Sequence, residues 1–323
     1  MGMPGDILPH VGDKQNMVST EFSKQDLGSG IVLVSHGNRG RVKTLHGQEI
    51  DVHYRRGVGR PVCGDLVELE DNHDGTAVVT EISERTNVFA RADHRQRKQV
   101  IAANLDQVLI VLATQPAPSR DLLERYLVAA HGLGIKPVIV VNKTDLDGSN
   151  QPQQDTPFSR LADYTGLGYK VIKSSCKGNP GTDALREVLG GRMSILAGQS
   201  GVGKSSLVNQ LVPDLDIQTG ALSDSTGKGR HTTTSTMMYQ LPQVSGESGY
   251  LVDSPGVWEY GLWQLERAEL ETGFIEFRPF LGECRFNDCL HDSEPGCAVK
   301  AAVESGQISE WRYQSYCRLL HEQ

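Results

Sequence analysis

Asn142-Lys143-Thr144-Asp145 lies upstream of Gly198-Gln199-Ser200-Gly201-Val202-Gly203-Lys204-Ser205 in this 323-residue chain. The later segment fits the phosphate-cradling pattern G-x-x-x-x-G-K-[ST]. The earlier one fits N-K-x-D, whose carboxylate reads the guanine edge. Conventionally the phosphate loop comes first. One site can be built from the reversed order only if the sheet that carries both segments is circularly permuted. Such rewiring is tolerated because domain termini usually lie at the surface and near each other.

The local context supports both motifs. Arg192 to Ala197 reads as a short buried strand and Ser205 to Leu211 as the start of a helix, the strand–loop–helix setting that the phosphate loop needs. Glycines let backbone N–H groups turn toward phosphate oxygens, and the helix N-terminus adds partial positive charge. Lys204 is expected to neutralise the outer phosphates, with Ser205 on Mg²⁺ and Ser206 beside it. Val138-Ile139-Val140-Val141 reads as a buried parallel strand. It delivers Asn142, Lys143, Thr144 and Asp145 to its C-terminal end, where open α/β sheets bind ligands. Asp145 would accept two hydrogen bonds from guanine, which adenine cannot supply, so GTP is favoured over ATP.

Two further segments complete the set. Tyr169 to Lys173 reads as a strand leading into Ser174-Ser175-Cys176-Lys177-Gly178, similar to the S-A-K-type guanine loop. Tyr250-Leu251-Val252 leads into Asp253-Ser254-Pro255-Gly256, a D-x-x-G element. Ordinary GTPases run phosphate loop, switch I, D-x-x-G, N-K-x-D, S-A-K. Here the order is N-K-x-D, S-S-C-K-G, phosphate loop, switch I, D-x-x-G. Val257 stands where many GTPases carry a water-orienting Gln. His231 in the loop Gly227 to Thr234 is therefore the candidate for placing water, and Thr233 the candidate switch I ligand of Mg²⁺.

Cys284, Cys289, His291 and Cys297 form C-x4-C-x-H-x5-C in a Gly/Asp/Pro-rich stretch. Three thiolates and an imidazole so close together fit one closed, structural Zn²⁺ site. Such a site provides folding energy that a short segment lacks.

Residues 1–29 show no periodicity and are expected to be a flexible tail. Ile31 to Val34, Gly40 to Thr44, Glu49 to Tyr54, Asp65 to Leu69 and Thr76 to Ile82 read as five short alternating strands. Five strands in so short a stretch fit an oligonucleotide-binding (OB-type) β-barrel. Arg39, Arg41, Lys43, Arg55, Arg56 and Arg60 cluster on it and would either track an RNA backbone or form a solvated face. Asp121 to His131 reads as an amphipathic helix, Leu265 to Thr272 as another, and Ala301 to Leu320 as a third. The expected architecture is multidomain α/β: barrel over 30–100, permuted P-loop GTPase domain over 101–270, helical zinc-binding domain over 271–323. The net charge of −8 predicts no global attraction to nucleic acid. No apolar run approaches the ~18 residues of a spanning helix, and no signal pattern opens the chain. A cytoplasmic protein, without membrane and monomeric, is expected.

In the order barrel, permuted GTPase, Cys/His segment, the chain resembles the bacterial ribosome small subunit-dependent GTPase A family. The resemblance rests on Gly198 to Ser206, Gly229 to Thr234, Asp253 to Gly256 and Cys284 to Cys297. It implies a GTP/GDP cycle with Mg²⁺, acting late in maturation of the small (30S) ribosomal subunit. It also implies contact with 16S rRNA, hydrolysis raised by the subunit, and room for other assembly factors. His231 matches the family's proposed catalytic histidine, whereas Trp258 stands where a basic residue is expected. The competing reading is an RNA-binding module with a regulatory, hydrolytically inert guanine-nucleotide site.

Overall fold

The computed structural model describes residues 27–92, 98–119, 121–146, 157–177, 181–212, 215, 236–254 and 266–322. Five strands, β1 (Ser29–His36), β2 (Arg39–Thr44), β3 (Glu49–Tyr54), β4 (Leu66–Asp71) and β5 (Ala77–Ile82), run in the order β1-β2-β3-β5-β4. β4 then pairs back onto β1, Ser29 opposite Glu68, and closes the barrel. All pairings are antiparallel except β3 with β5. Alternation along each strand sends Val32, Val42, Ile50, Val52, Val67, Leu69, Ala77 and Val79 inward. The expected barrel is thus present.

A bulge in β1 between Val32 and Val34 re-aims the strand. Beyond it Val34 pairs with Met237 of a second sheet. Between the two sheets lies an antiparallel hairpin, β6 (Val88–Ala92) and β7 (Lys98–Ala103). The sequence leads to no strand expectation over 88–103, so this hairpin is an addition.

The second sheet contains β8 (Gln107–Ala113), β9 (Lys136–Asn142), β10 (Lys170–Lys173), β11 (Met193–Ala197), β12 (Met237–Gln240) and β13 (Tyr250–Asp253), in the order β10-β9-β8-β11-β13-β12. Its strands are parallel except β12. Every residue of β8 is buried, because helices cover both faces. On one face Val108, Ile110, Leu112, Ile139 and Ile195 meet Leu123, Tyr126, Leu127 and Ala130 of α1 (Leu122–Gly132). On the other, Leu109, Val111, Val138, Val140, Leu196 and Leu251 meet α3 (Thr182–Leu189) and α4 (Lys204–Leu211). A short α2 (Leu161–Gly166) precedes β10.

The C-terminal unit holds α5 (Arg267–Gly273), a 3₁₀ segment Ile275–Phe280, α6 (Ala298–Glu304) and α7 (Glu310–His321). α5 begins with a reciprocal capping box between Glu266 and Glu269. The single helix expected over 301–320 is two helices. Gly306 takes φ +76° and closes α6 with bonds from Gly306 N to Val303 O and from Gln307 N to Ala302 O, 2.9 Å each. That break turns Ile308 into a core with Leu270, Phe274, Phe277, Val299, Tyr316 and Leu319. No helix among the described residues is long and apolar enough to cross a membrane.

Candidate nucleotide and metal sites

The phosphate loop joins β11 to α4, and Lys204 is the first residue of α4. Its ammonium donates to Gly198 O at 2.7 Å and Gln199 O at 2.9 Å. Gly203 precedes it with φ +97°, and a Cβ there would lie 2.4 Å from the Asn142 side-chain nitrogen. Only glycine leaves room for Asn142 beneath the loop.

Asn142 uses that room. Its Nδ2 donates to Val202 O at 2.9 Å. Lys143 donates to Gly201 O at 2.6 Å and to Gln115 O at 2.8 Å, tying the phosphate loop to the segment after β8. Thr144 Oγ1 donates to Ser174 O at 3.1 Å, and Ser174 N donates to Val141 O at 2.8 Å. Ser175 Oγ donates to Asp145 Oδ1 at 2.5 Å, and Lys177 Nζ stands 3.3 Å from Asp145 Oδ2. The Ser175 hydrogen bond, with help from Lys177, holds the Asp145 carboxyl below its usual range. Cys176 is exposed in the same loop.

The two motif segments therefore share one rim, as the inverted order demanded. Asn142 Oδ1, Ser174 Oγ and Gln199 Oε1 are buried there with no hydrogen-bond partner. Buried acceptors and hydroxyls of this kind normally find a partner, and a polar base with phosphates fits the donor and acceptor set. Asp253 ends β13; burial raises its carboxyl, and the nearby Lys204 charge opposes that rise. A divalent cation beside it would favour the carboxylate. Ser205 and Ser206 sit half-buried in the first turn of α4, and Ser200, Gly201 and Val202 complete the loop. His231, Thr233, Gly256, Val257 and Trp258 lie outside the described residues.

Cys284, Cys289, His291 and Cys297 converge, with ligand atoms all within 4.8 Å of one another. Cys284 Sγ and Cys297 Sγ are 3.9 Å apart, and each lies near His291 Nδ1, at 3.5 and 3.4 Å. A tetrahedral zinc with ordinary bond lengths would separate two sulfurs by about 3.8 Å and a sulfur from a nitrogen by about 3.5 Å. Backbone N–H groups of His291, Ala298 and Lys300 point at Cys289, Cys284 and Cys297 sulfurs, respectively. Burial among the other thiols pushes Cys289 up to about 12, the protonated state that a bound cation reverses. The donor set fits zinc.

Sequence reasoning did not assign Lys177 to the site, although it stands in the quoted loop. It also missed Gln115, which contributes only a backbone carbonyl and so leaves no side-chain signal.

The RsgA GTPase family model matches residues 82–263. This chain belongs to the RsgA GTPase family. Among its RsgA relatives is the small ribosomal subunit biogenesis GTPase RsgA 1 of Vibrio vulnificus, 42% identical over 303 residues, covering 89% of this chain and 84% of the relative. The small ribosomal subunit biogenesis GTPase RsgA of Ralstonia pickettii is 44% identical over 295 residues, covering 91% and 92%. In three dimensions the chain is similar to YjeQ from Thermotoga maritima, with TM-score 0.72, 33% identity, and coverage of 91% and 98%. It is also similar to YloQ, a circularly permuted GTPase, with TM-score 0.69, 29% identity, and coverage of 91% and 94%. As an RsgA-family member the chain is a GTP-hydrolysing enzyme, and its reversed motif order agrees with its likeness to YloQ, described as a circularly permuted GTPase.

Proposed function

We propose that this GTPase binds GTP with Mg²⁺ between the phosphate loop and the 142–145 segment, and that its cycle serves biogenesis of the small ribosomal subunit, the role its relatives are named for. One observation supports the nucleotide reading most. Asn142 bonds Val202 at 2.9 Å and Lys143 bonds Gly201 at 2.6 Å, the close tie between the two segments that a shared base and phosphate site needs.

Each residue then has a task. Asp145, kept ionised by Ser175, accepts from the guanine edge, while Ser174, Ser175 and Cys176 line the base. Gly198 to Gly203 present backbone N–H groups, and Lys204 leaves its carbonyl partners for the outer phosphates. Ser205, Thr233 and Asp253 would hold Mg²⁺, which when bound would supply positive charge beside the transferred phosphoryl group. Gly256 senses the terminal phosphate by its N–H. His231 orients the attacking water, since Val257 has no polar atom to do so. Cys284, Cys289, His291 and Cys297 hold a structural zinc.

In this reading residues 30–100 form the RNA-facing unit, 101–270 the GTPase unit and 271–323 the zinc unit. Arg41 is engaged by Asp51, Arg55 by Glu70 and Lys43 by Gln240. The exposed Arg39, Arg56 and Arg60 are the better candidates for a phosphate backbone of 16S rRNA.

The test is GTP turnover with and without purified small ribosomal subunits, for wild type and His231→Ala. Wild-type turnover should rise with the subunit and fall by about 100-fold or more in the variant. Unchanged turnover in the variant would remove His231 from the mechanism. Absence of stimulation in wild type would remove the ribosomal assignment.

A further inference from the structure

The N-terminal turn of α1 is clasped by the C-terminal unit through charged groups. Asp121, the residue preceding α1, accepts both arms of the Arg318 guanidinium, at 2.7 Å and 2.8 Å. Glu124 pairs with Arg312, which also grips Glu276 at 3.1 Å through Nη2. Arg125 pairs with Glu322. Tyr164 donates to the second oxygen of Glu124. Arg312 is 1% exposed, and its guanidinium lies 4.4 Å from the centre of the Phe274 ring. Further along α1, a Cβ on Gly273 of α5 would approach Val128 Cγ1 to 2.7 Å, so the helices touch backbone to side chain.

Placement gives this clasp a meaning beyond cohesion. The segment that ends at Asp121 starts from the C-terminal end of β8 and flanks the phosphate loop. Gln115 O accepts from Lys143, whose ammonium also holds Gly201 O. Pro116 lies 3.5 Å from where a Cβ on Gly201 would stand. Five residues after Pro116, Asp121 is fixed by Arg318. Apolar packing would hold the two units together equally well, because buried ion pairs are weak sources of stability. Directional pairs instead fix register.

We infer that Asp121, held by Arg318 with Arg312–Glu124 beside it, is a positioning residue for the nucleotide site. It fixes the 114–119 segment against Lys143 and the phosphate loop, so the Cys/His unit completes the GTPase pocket from behind. The inference rests on the nucleotide reading above. By reciprocity, nucleotide binding must then tighten the clasp.

The full-length, zinc-loaded protein is tested with fluorescent GDP and by hydrogen exchange. Arg318→Gln should weaken GDP binding by about tenfold, within the usual range of coupling between sites. The swapped pair Asp121→Arg with Arg318→Asp should recover most of it, which a loss of general packing would not allow. In the wild type, GDP should slow amide exchange in α7. A folded Arg318→Gln protein with wild-type GDP affinity would overturn the inference. Should that variant fail to fold, the wild-type exchange measurement decides alone: GDP binding without any change in α7 overturns the inference and leaves the nucleotide site standing. Failure of the wild type to bind GDP would overturn the nucleotide reading itself, and this inference with it.

Discussion

Asn142 and Val202 are 60 residues apart in the chain, yet the Asn142 side-chain amide donates to the Val202 carbonyl at 2.9 Å. β9 and β11 flank β8 in the sheet, so residues at their C-terminal ends meet on one rim whichever is synthesised first. Chain order is free to change; strand order is not.

Base selectivity should reside in Asp145. Asp145→Asn converts an acceptor pair into one acceptor and one donor. GDP affinity is expected to fall by about 1–3 kcal/mol, roughly five- to 150-fold, with little effect on the fold. Isothermal titration with GDP and with xanthosine diphosphate checks this; wild-type GDP affinity in the variant would remove Asp145 from base recognition.

Gly203→Ala should damage the site locally. The added methyl meets Asn142 Nδ2 at 2.4 Å and forces an unfavourable φ of +97° on alanine. About 1–3 kcal/mol of destabilisation is expected, together with loss of nucleotide binding. Thermal melts and nucleotide titration report the two effects separately.

Metal should hold the C-terminal unit together. One zinc per chain is expected, and Cys284→Ser should lower metal content and open residues 266–322 to protease, because three ligands bind less tightly than four. Atomic emission and limited trypsin digestion measure this. A fully protected, metal-free wild type would refute it.

His131 provides a pH signature. Burial, with a contribution from Arg278, lowers its pKa to about 4, and its Nε2 lies 3.1 Å from the Tyr169 hydroxyl. The unfolded chain therefore takes up a proton near pH 6.5 that the folded chain refuses until about pH 4. Stability should fall as pH drops across that window, by on the order of 1 kcal/mol after solvent screening. His131→Gln should flatten this part of the urea-midpoint profile; an unchanged profile would count against it.

Arg312 is the costliest clasp residue to lose. Arg312→Ala leaves Glu124 and Glu276 buried without their cation and should destabilise the protein by about 3–5 kcal/mol. Adding Glu124→Gln and Glu276→Gln should restore part of that, as read from denaturant midpoints.

Alternation and motif spacing made the barrel strands, the parallel strands and the Cys/His set legible in the sequence, because each is written in residues near one another. The hairpin β6–β7 was not legible. Arg, Gln and Lys around positions 95–98 mask its short alternation, and its place is set by Cys63 bridging to Ala102, 39 positions on. The α6–α7 break was carried by Gly306 alone, inside a stretch otherwise favourable to helix. The clasp was invisible for another reason. Asp121 and Arg318 are 197 positions apart, and nothing local distinguishes a solvated arginine from one paired across the fold.

Val34 and Met237 join the barrel to the outermost strand of the nucleotide sheet. That strand would otherwise offer a row of unsatisfied peptide groups to any passing chain. Pairing with β1 covers part of that edge, so excising the barrel should leave a GTPase fragment more prone to clump even where its own core is intact.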